Sequence, residues 1–387
     1  MQKSELKAAF SLSTLFALRM LGLFIILPVF TPFAKNLTDA TPFLIGMAFG
    51  IYGLTQALFQ LPLGALSDYF PRKTVIAFGF CLFILGSFVC AYSQSIEGMM
   101  LGRALQGMGA IGSTLTALMT DFIRPEMRSK AMAILGITIA LSFFTAIMLG
   151  PYLSAHIGVK GIFILTGILG IAAIGLLFFS VPTSPNPIIN KTQYNFIFQF
   201  KKIFFNSQLF TLNMGIFCLH IILTATFMVI PLWITHWTQY LWPLIFSFIF
   251  TFGLIGFAEK HKKVFTLYFY AIVGLIIAEY CLFIFHHHAN FLFSMSLMLF
   301  LLSFNLLEAN LPSLVSRLVP IESKGTAMGL FSTCQFLGIF CGGLLGGMIE
   351  QYSSSTRVLL SCAMLSFLWL ILTLIIRHLR SDSWQEV

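Results

Sequence analysis

Residues 64–73 read GALSDYFPRK, so ten residues hold a Gly, an Asp, a Pro, an Arg and a Lys. Long apolar runs flank them, at roughly 43–66 and 74–95. Each run is about the 20 residues that a helix needs to cross a bilayer. The charge is therefore gathered in a turn between two spans. The same pattern governs the whole chain of 387 residues, which is 58% hydrophobic and only 9% charged. Its mean hydropathy is +0.93. A soluble globular surface uses about 25% charged residues. This composition excludes a soluble enzyme or binding module and predicts an integral membrane protein, and the 44 Phe suit lipid-facing helices.

Twelve such runs can be placed, at roughly 8–33, 43–66, 74–95, 97–121, 130–153, 161–181, 209–233, 241–258, 264–286, 290–314, 325–349 and 356–378. The expected fold is all-α, with twelve transmembrane helices. The one long polar connection follows the sixth run. It divides the chain into a six-helix half over 1–181, a central linker over 182–208 and a second half over 209–387. A repeat supports the division: EMRSKAMAIL starts at Glu126 and ESKGTAMGLF at Glu322, an offset of 196 residues. Two halves with a matching entry to their fifth helix imply an internal duplication. Transporters built in this way place their substrate site near the bilayer midplane.

Lys and Arg set the orientation. With a cytoplasmic N-terminus, seventeen of the 22 fall in inside segments and three, Lys35, Lys160 and Arg357, fall outside. The remaining two, Arg19 and Arg103, lie within spans. Both termini are thus expected to be cytoplasmic. The formal charge of +9 reads as this topology signal and not as a nucleic-acid surface. The basic start runs into a long apolar stretch without a small-residue cleavage site, so it reads as the first span and not a removed signal. The seven cysteines lie inside apolar runs without metal or disulfide spacing. Three histidines at 286–288 sit at the end of a span, and adjacent residues make no compact ligand set, so no metal is expected.

In the opening stretch, Gly64 would allow close helix approach. Asp68 would meet the N-terminus of a neighbouring helix. Arg72 and Lys73 would start the third span, with Asp121 as a partner for Arg72. Such a cluster would latch the cytoplasmic ends in one state and break in the other.

These residues resemble motif A of the major facilitator superfamily, Gly-x-Leu-x-Asp-Arg-x-Gly-Arg-Lys. Gly64, Leu66, Asp68, Arg72 and Lys73 match, whereas Tyr69 and Pro71 replace an Arg and a Gly. LGRALQGMGA resembles motif B, with Arg103, Gln106 and Gly107 in place. LGPYLSAHIG is similar to motif C of antiporters through Gly150 and Pro151, with Ser154 and Ala155 where a Gly pair is common. FALRMLGLFIILPV, GIYGLTQALFQLPLGALSD and KGTAMGLFSTCQFLG extend the likeness to bacterial YajR-type drug:proton antiporters, over essentially the whole chain. Such proteins often add a soluble domain after span twelve; none is expected after Val387 here. The resemblance implies a monomer in the bacterial inner membrane that exports small molecules by alternating access. It would be driven by the proton gradient and carry no cofactor.

Charges inside spans need partners or a wet cavity, since each costs about 2.5–3.5 kcal/mol at a helix centre. Arg19 and Arg103 have no acidic residue within the interior of their own half. That half would suit an anionic or neutral polar cargo better than a cation. Arg103 either pins helices through carbonyls or favours the ionised form of a nearby carboxylate. The candidate proton carriers are Glu308, Glu279 and His220, with Glu308 first. Asn305 shares its helix face and is a candidate partner. Tyr52, Gln56 and Gln60 share one face of span two and, with Arg19, Asn213, Asn305 and Gln335, are candidates to line the cargo path. The alternatives are a proton-coupled importer of an anionic metabolite or iron chelate, and a non-transporting membrane sensor. An enzyme is not expected, because no phosphate loop or nucleophile–base pattern is present.

Overall fold

The computed structural model describes residues 2–181, 206–234, 236–286, 291–319 and 324–379, apart from some individual side chains. Within them the chain is helical, with no strand. The reason is the solvent: in hydrocarbon a backbone must satisfy its own N–H and C=O groups, and a helix does so within one segment. Ten helices among the described residues are long and apolar enough to cross a membrane.

The first half contributes α1 (Lys3–Phe24), a short α2 (Phe30–Ala34), α3 (Pro42–Tyr69), α4 (Arg72–Tyr92), α5 (Ile96–Met108), α6 (Gly112–Phe122) and α7 (Arg128–Ser180). The first run, expected as one span, ends at Phe24. Tight turns follow around Pro28, which has no N–H to continue the ladder. The fourth run, also expected as one span, is broken. α5 stops at Met108, the Ile111 N–H turns back onto the Gly109 carbonyl at 2.9 Å, and α6 restarts at Gly112. The fifth and sixth runs are joined in α7, whose 53 residues would reach about 80 Å at 1.5 Å per residue, against a core of ~30 Å. α7 therefore holds two spans and bends at Gly158, where φ is 68° and ψ is 169°.

The second half contributes α8 (Ser207–Val229), α9 (Leu241–Lys260), α10 (Val264–Phe285), α11 (Phe291–Leu318), α12 (Lys324–Tyr352) and α13 (Ser355–Leu379). Asn206 caps α8 by accepting from the Gln208 and Leu209 N–H groups at 3.0 and 3.1 Å. Most of the expected linker, residues 182–205, lies outside the described residues. α8 is buried almost all round, as a helix at the centre of a bundle must be. α9 is the opposite: Phe246, Ile249, Phe250, Phe252 and Phe257 are exposed, an apolar face that only lipid would cover.

The chain clusters into two compact units, Met1–Ala40 with Ile51–Thr192, and Thr41–Gly50 with Gln193–Val387. The first segment of α3 thus packs with the second unit. Gly343 of α12 allows it: a Cβ there would sit 3.0 Å from the Gly50 Cα and closer still to the Gly46 carbonyl. The Gln351 carboxamide oxygen accepts the Phe43 N–H at 3.1 Å in the same contact.

Candidate functional site

The turn at 64–73 is built by α3 and α4 with the end of α6. Arg72 Nε lies 3.3 Å from Asp121 Oδ2, in ion-pair range but without hydrogen-bond geometry. Arg72 Nη2 lies 3.8 Å from Asp68 Oδ1. Asp68 thus pairs with the first residue of α4, and its side chain is 68% exposed. Lys73 does not point free into the loop; its Nζ donates to the Val181 carbonyl. Gly64 faces Ser113, whose Oγ would be 3.0 Å from a Cβ at that position. Sequence reasoning missed a second tie at this end of the unit. Glu5 Oε1 accepts from Arg124 Nε at 2.8 Å and from its backbone N–H at 3.2 Å. The hydrogen bonds to Glu5 raise the Arg124 pKa above its ordinary value. The topology count had used only Lys and Arg, so Glu5 carried no weight there.

Inside the first unit, Arg19 and Arg103 are 1% and 3% exposed. Arg19 Nη2 donates to Gln56 Oε1 and, at 3.3 Å, to the Tyr52 hydroxyl. Arg103 lies over the Tyr52 ring, 4.8 Å from its centroid. Its Nη1 donates to Gln106 Oε1 at 2.9 Å, and Gln106 Nε2 donates to Ser87 Oγ at 2.9 Å. Tyr52 is thus held at its hydroxyl by one cation and at its face by the other. The partners of both arginines are neutral: Arg103 bonds the side-chain carbonyl of Gln106, which in turn ties α5 to Ser87 of α4. Gly107 brings α5 onto α3 beside the Tyr52 carbonyl, and Gly150 does the same for α7 against Ile25 and Pro28, with Pro151 next to it. Gln60 is buried with its Oε1 unpartnered.

The second unit holds the carboxylates. α8, α11 and α12 bring together His220, Glu308 and Gln335. Gln335 Nε2 lies 3.0 Å from Glu308 Oε1 and 3.0 Å from His220 Nε2. His220 Nε2 is 3.8 Å from Glu308 Oε2. His220 Nδ1 sits 3.2 Å from the Ile216 carbonyl, which can only accept. Nδ1 therefore carries the proton, and Nε2 turns a lone pair to the Gln335 amide. The Glu308 side chain keeps 34% exposure, whereas His220 is buried. Asn305 does not bond Glu308; its Nδ2 has no partner, and Asn213 is likewise left with an unpartnered Oδ1. Glu279 stands apart from this cluster, fully buried, and accepts from Thr226 Oγ1 at 2.7 Å. Among the described residues no cluster could hold a metal; His287 and His288 lie outside them.

Comparison with known proteins agrees with this architecture. The family model described as Major Facilitator Superfamily matches residues 12–342. The chain belongs to the major facilitator superfamily. It is 40% identical over 381 residues to the inner membrane transport protein YajR of Escherichia coli strain K12, covering 96% of this chain and 83% of that one. It is 34% identical over 386 residues to an uncharacterized transporter of Buchnera aphidicola subsp. Schizaphis graminum, covering 95% and 96%. A solved bacterial homologue of the human lysosomal transporter Spinster has the same fold, with a TM-score of 0.77, 13% identity and 97% of both chains covered. The chain is thus a YajR-type secondary transporter of the major facilitator class, an integral membrane protein and not an enzyme. Within this class, an ionisable residue inside a span marks a functional position by default.

Proposed function

We propose that this transporter exports small molecules in exchange for protons in a bacterial inner membrane, with Glu308 as the proton carrier and His220 and Gln335 as its partners. The observation that carries the reading is the triad in the second unit. Glu308 is a carboxylate in an apolar setting that keeps part of its surface open, as a group that loads and unloads a proton requires. One amide, on Gln335, faces both Glu308 and His220. A proton arriving at His220 Nε2 would set donor against donor. Relief requires the Gln335 amide to turn or His220 to swing toward Glu308 Oε2. Protonation is in this way tied to the packing of three helices, which is what coupling to alternating access needs.

Export is supported by the Gly150–Pro151 pair and its likeness to the antiporter motif. Import of an anionic metabolite is the second reading, favoured by the two buried arginines without carboxylate partners. The test is proton flux in proteoliposomes with an internal pH dye, across a panel of anionic, neutral and cationic compounds. Wild-type protein should move protons inward as cargo leaves, and Glu308→Gln should move cargo only down its own gradient. Protons co-moving with cargo would select the import reading. Unchanged coupling in Glu308→Gln would sink the assignment of the carrier.

A further inference from the structure

Two features of the first unit have no use in that proton scheme: the break in the fourth span and the unspent donors of Arg19. The break leaves α6, an 11-residue helix, starting at Gly112 inside the apolar region. The residue at its N-cap is Ile111, which brings no side-chain acceptor to the N–H groups of the first turn. A helix N-terminus also carries about half a positive charge. An uncapped start within a span is therefore an electropositive point in a place without bulk water.

Arg19 is aimed at that point. Its Nη1 lies 3.9 Å from where a Cβ would stand on Gly112. Arg19 is 1% exposed, and its Nε and Nη1 have no hydrogen-bond partner. Gln56, which accepts from Arg19 Nη2, keeps its own Nε2 donor unpartnered. The full cation of Arg103 stands over the Tyr52 ring. Unmatched donors and charge at this density are costly in an apolar interior unless an acceptor of negative charge joins them. Gly112 itself has no Cβ, and Phe16 carbons lie 3.7 Å from where one would be.

We propose that Arg19, Gln56 and the open N-terminus of α6 form a carboxylate-binding subsite, so that the cargo carries a carboxylate. A carboxylate offers two oxygens where a halide offers one atom, and one of them can accept a charge-assisted hydrogen bond from Arg19 Nη1. Its second oxygen would face the first-turn amides of α6. The inference rests on the reading of the chain as a small-molecule transporter, but on neither the direction of transport nor the proton site.

The experiment is thermal unfolding of the purified protein in detergent, titrated with acetate and benzoate, and with acetamide, benzamide and chloride as controls at constant ionic strength. Both carboxylates should raise the unfolding temperature and their amides should not. In Arg19→Gln the carboxylate affinity should fall by at least about tenfold, as loss of a charged hydrogen-bond donor predicts. Gly112→Ala should weaken the response while leaving the unliganded unfolding temperature equal or higher, because Ala favours a helix and its methyl would stand in ordinary contact with Phe16 and 3.9 Å from Arg19 Nη1, in the space the carboxylate needs. That variant keeps the test sound if Arg19→Gln folds poorly. Stabilisation no greater than that by chloride, equal stabilisation by the amides, or an undiminished response in Gly112→Ala would each overturn the proposal. The assay holds no proton gradient, so its failure and that of the Glu308 scheme are told apart. Carboxylates that bind but move no protons would count against coupling alone.

Discussion

At the scale of single residues, Glu308 and Glu279 of the second unit differ in what surrounds them. Glu308 keeps part of its side chain open and faces a histidine. Glu279 is closed off, with Thr226 donating to one oxygen and nothing bonded to the other. A residue closed off in this way fits a structural role. Glu279→Gln keeps an acceptor for Thr226 and should leave proton coupling as in wild type, in contrast to Glu308→Gln in the same proteoliposome assay. Thr226→Val should instead destabilise the protein. Hydrogen bonds between membrane helices average about 0.6 kcal/mol and reach about 1.7. This one belongs at the upper end, because its loss leaves a buried carboxyl without a donor. Thermal unfolding of Thr226→Val beside wild type checks the second expectation. Coupling lost in Glu279→Gln would return Glu279 to the list of carriers.

Helices were the part of the fold that the amino acids declared most openly, because a run of about 20 apolar residues in lipid has few other ways to satisfy its backbone. Not every break was legible. The bend at Gly158 falls in the gap between the fifth and sixth runs, but the chain has 30 glycines and nothing local marks Gly109 as a stop. That outcome depends on what packs against the position. Side-chain partners were hidden for the same reason. Asn305 sits one turn from Glu308, the spacing that suggests a bond, yet Gln335 from another helix makes it. The pairing of Arg72 with Asp121 was legible because both are charges at the ends of apolar runs, where few partners compete. Gly158 gives the test at this scale. Its φ and ψ fall in a region that is essentially glycine-only, and nothing lies within 4 Å of where its Cβ would be. Gly158→Ala and Gly158→Ser should therefore cost the same, about 1–3 kcal/mol, since the penalty is in the backbone and not in contacts. A much larger loss for Ser in thermal unfolding would mean that the site is crowded.

For the molecule as a whole, orientation in the membrane follows from where the cations stand, and the bend in α7 makes the expectation sharp. A helix of 53 residues with its turn at Gly158 puts Lys160 at one face of the bilayer and Lys130 and Val181 at the other. The seventeen-to-three division of Lys and Arg assigns Lys160 and Arg357 to the outside and Lys130, Lys260 and Arg317 to the inside. Alkaline phosphatase fused after Lys160 or Arg357 should be active, and fusions after Lys130, Lys260 or Arg317 should be silent, with a green fluorescent reporter giving the reverse. Neutralising Arg72 and Lys73 together removes only two of the seventeen and should leave this pattern unchanged. It should nonetheless break the ion pairs with Asp68 and Asp121. Phosphatase activity after Lys130 would invert the topology. It would also place the Arg72 cluster on the wrong side to act as a cytoplasmic latch.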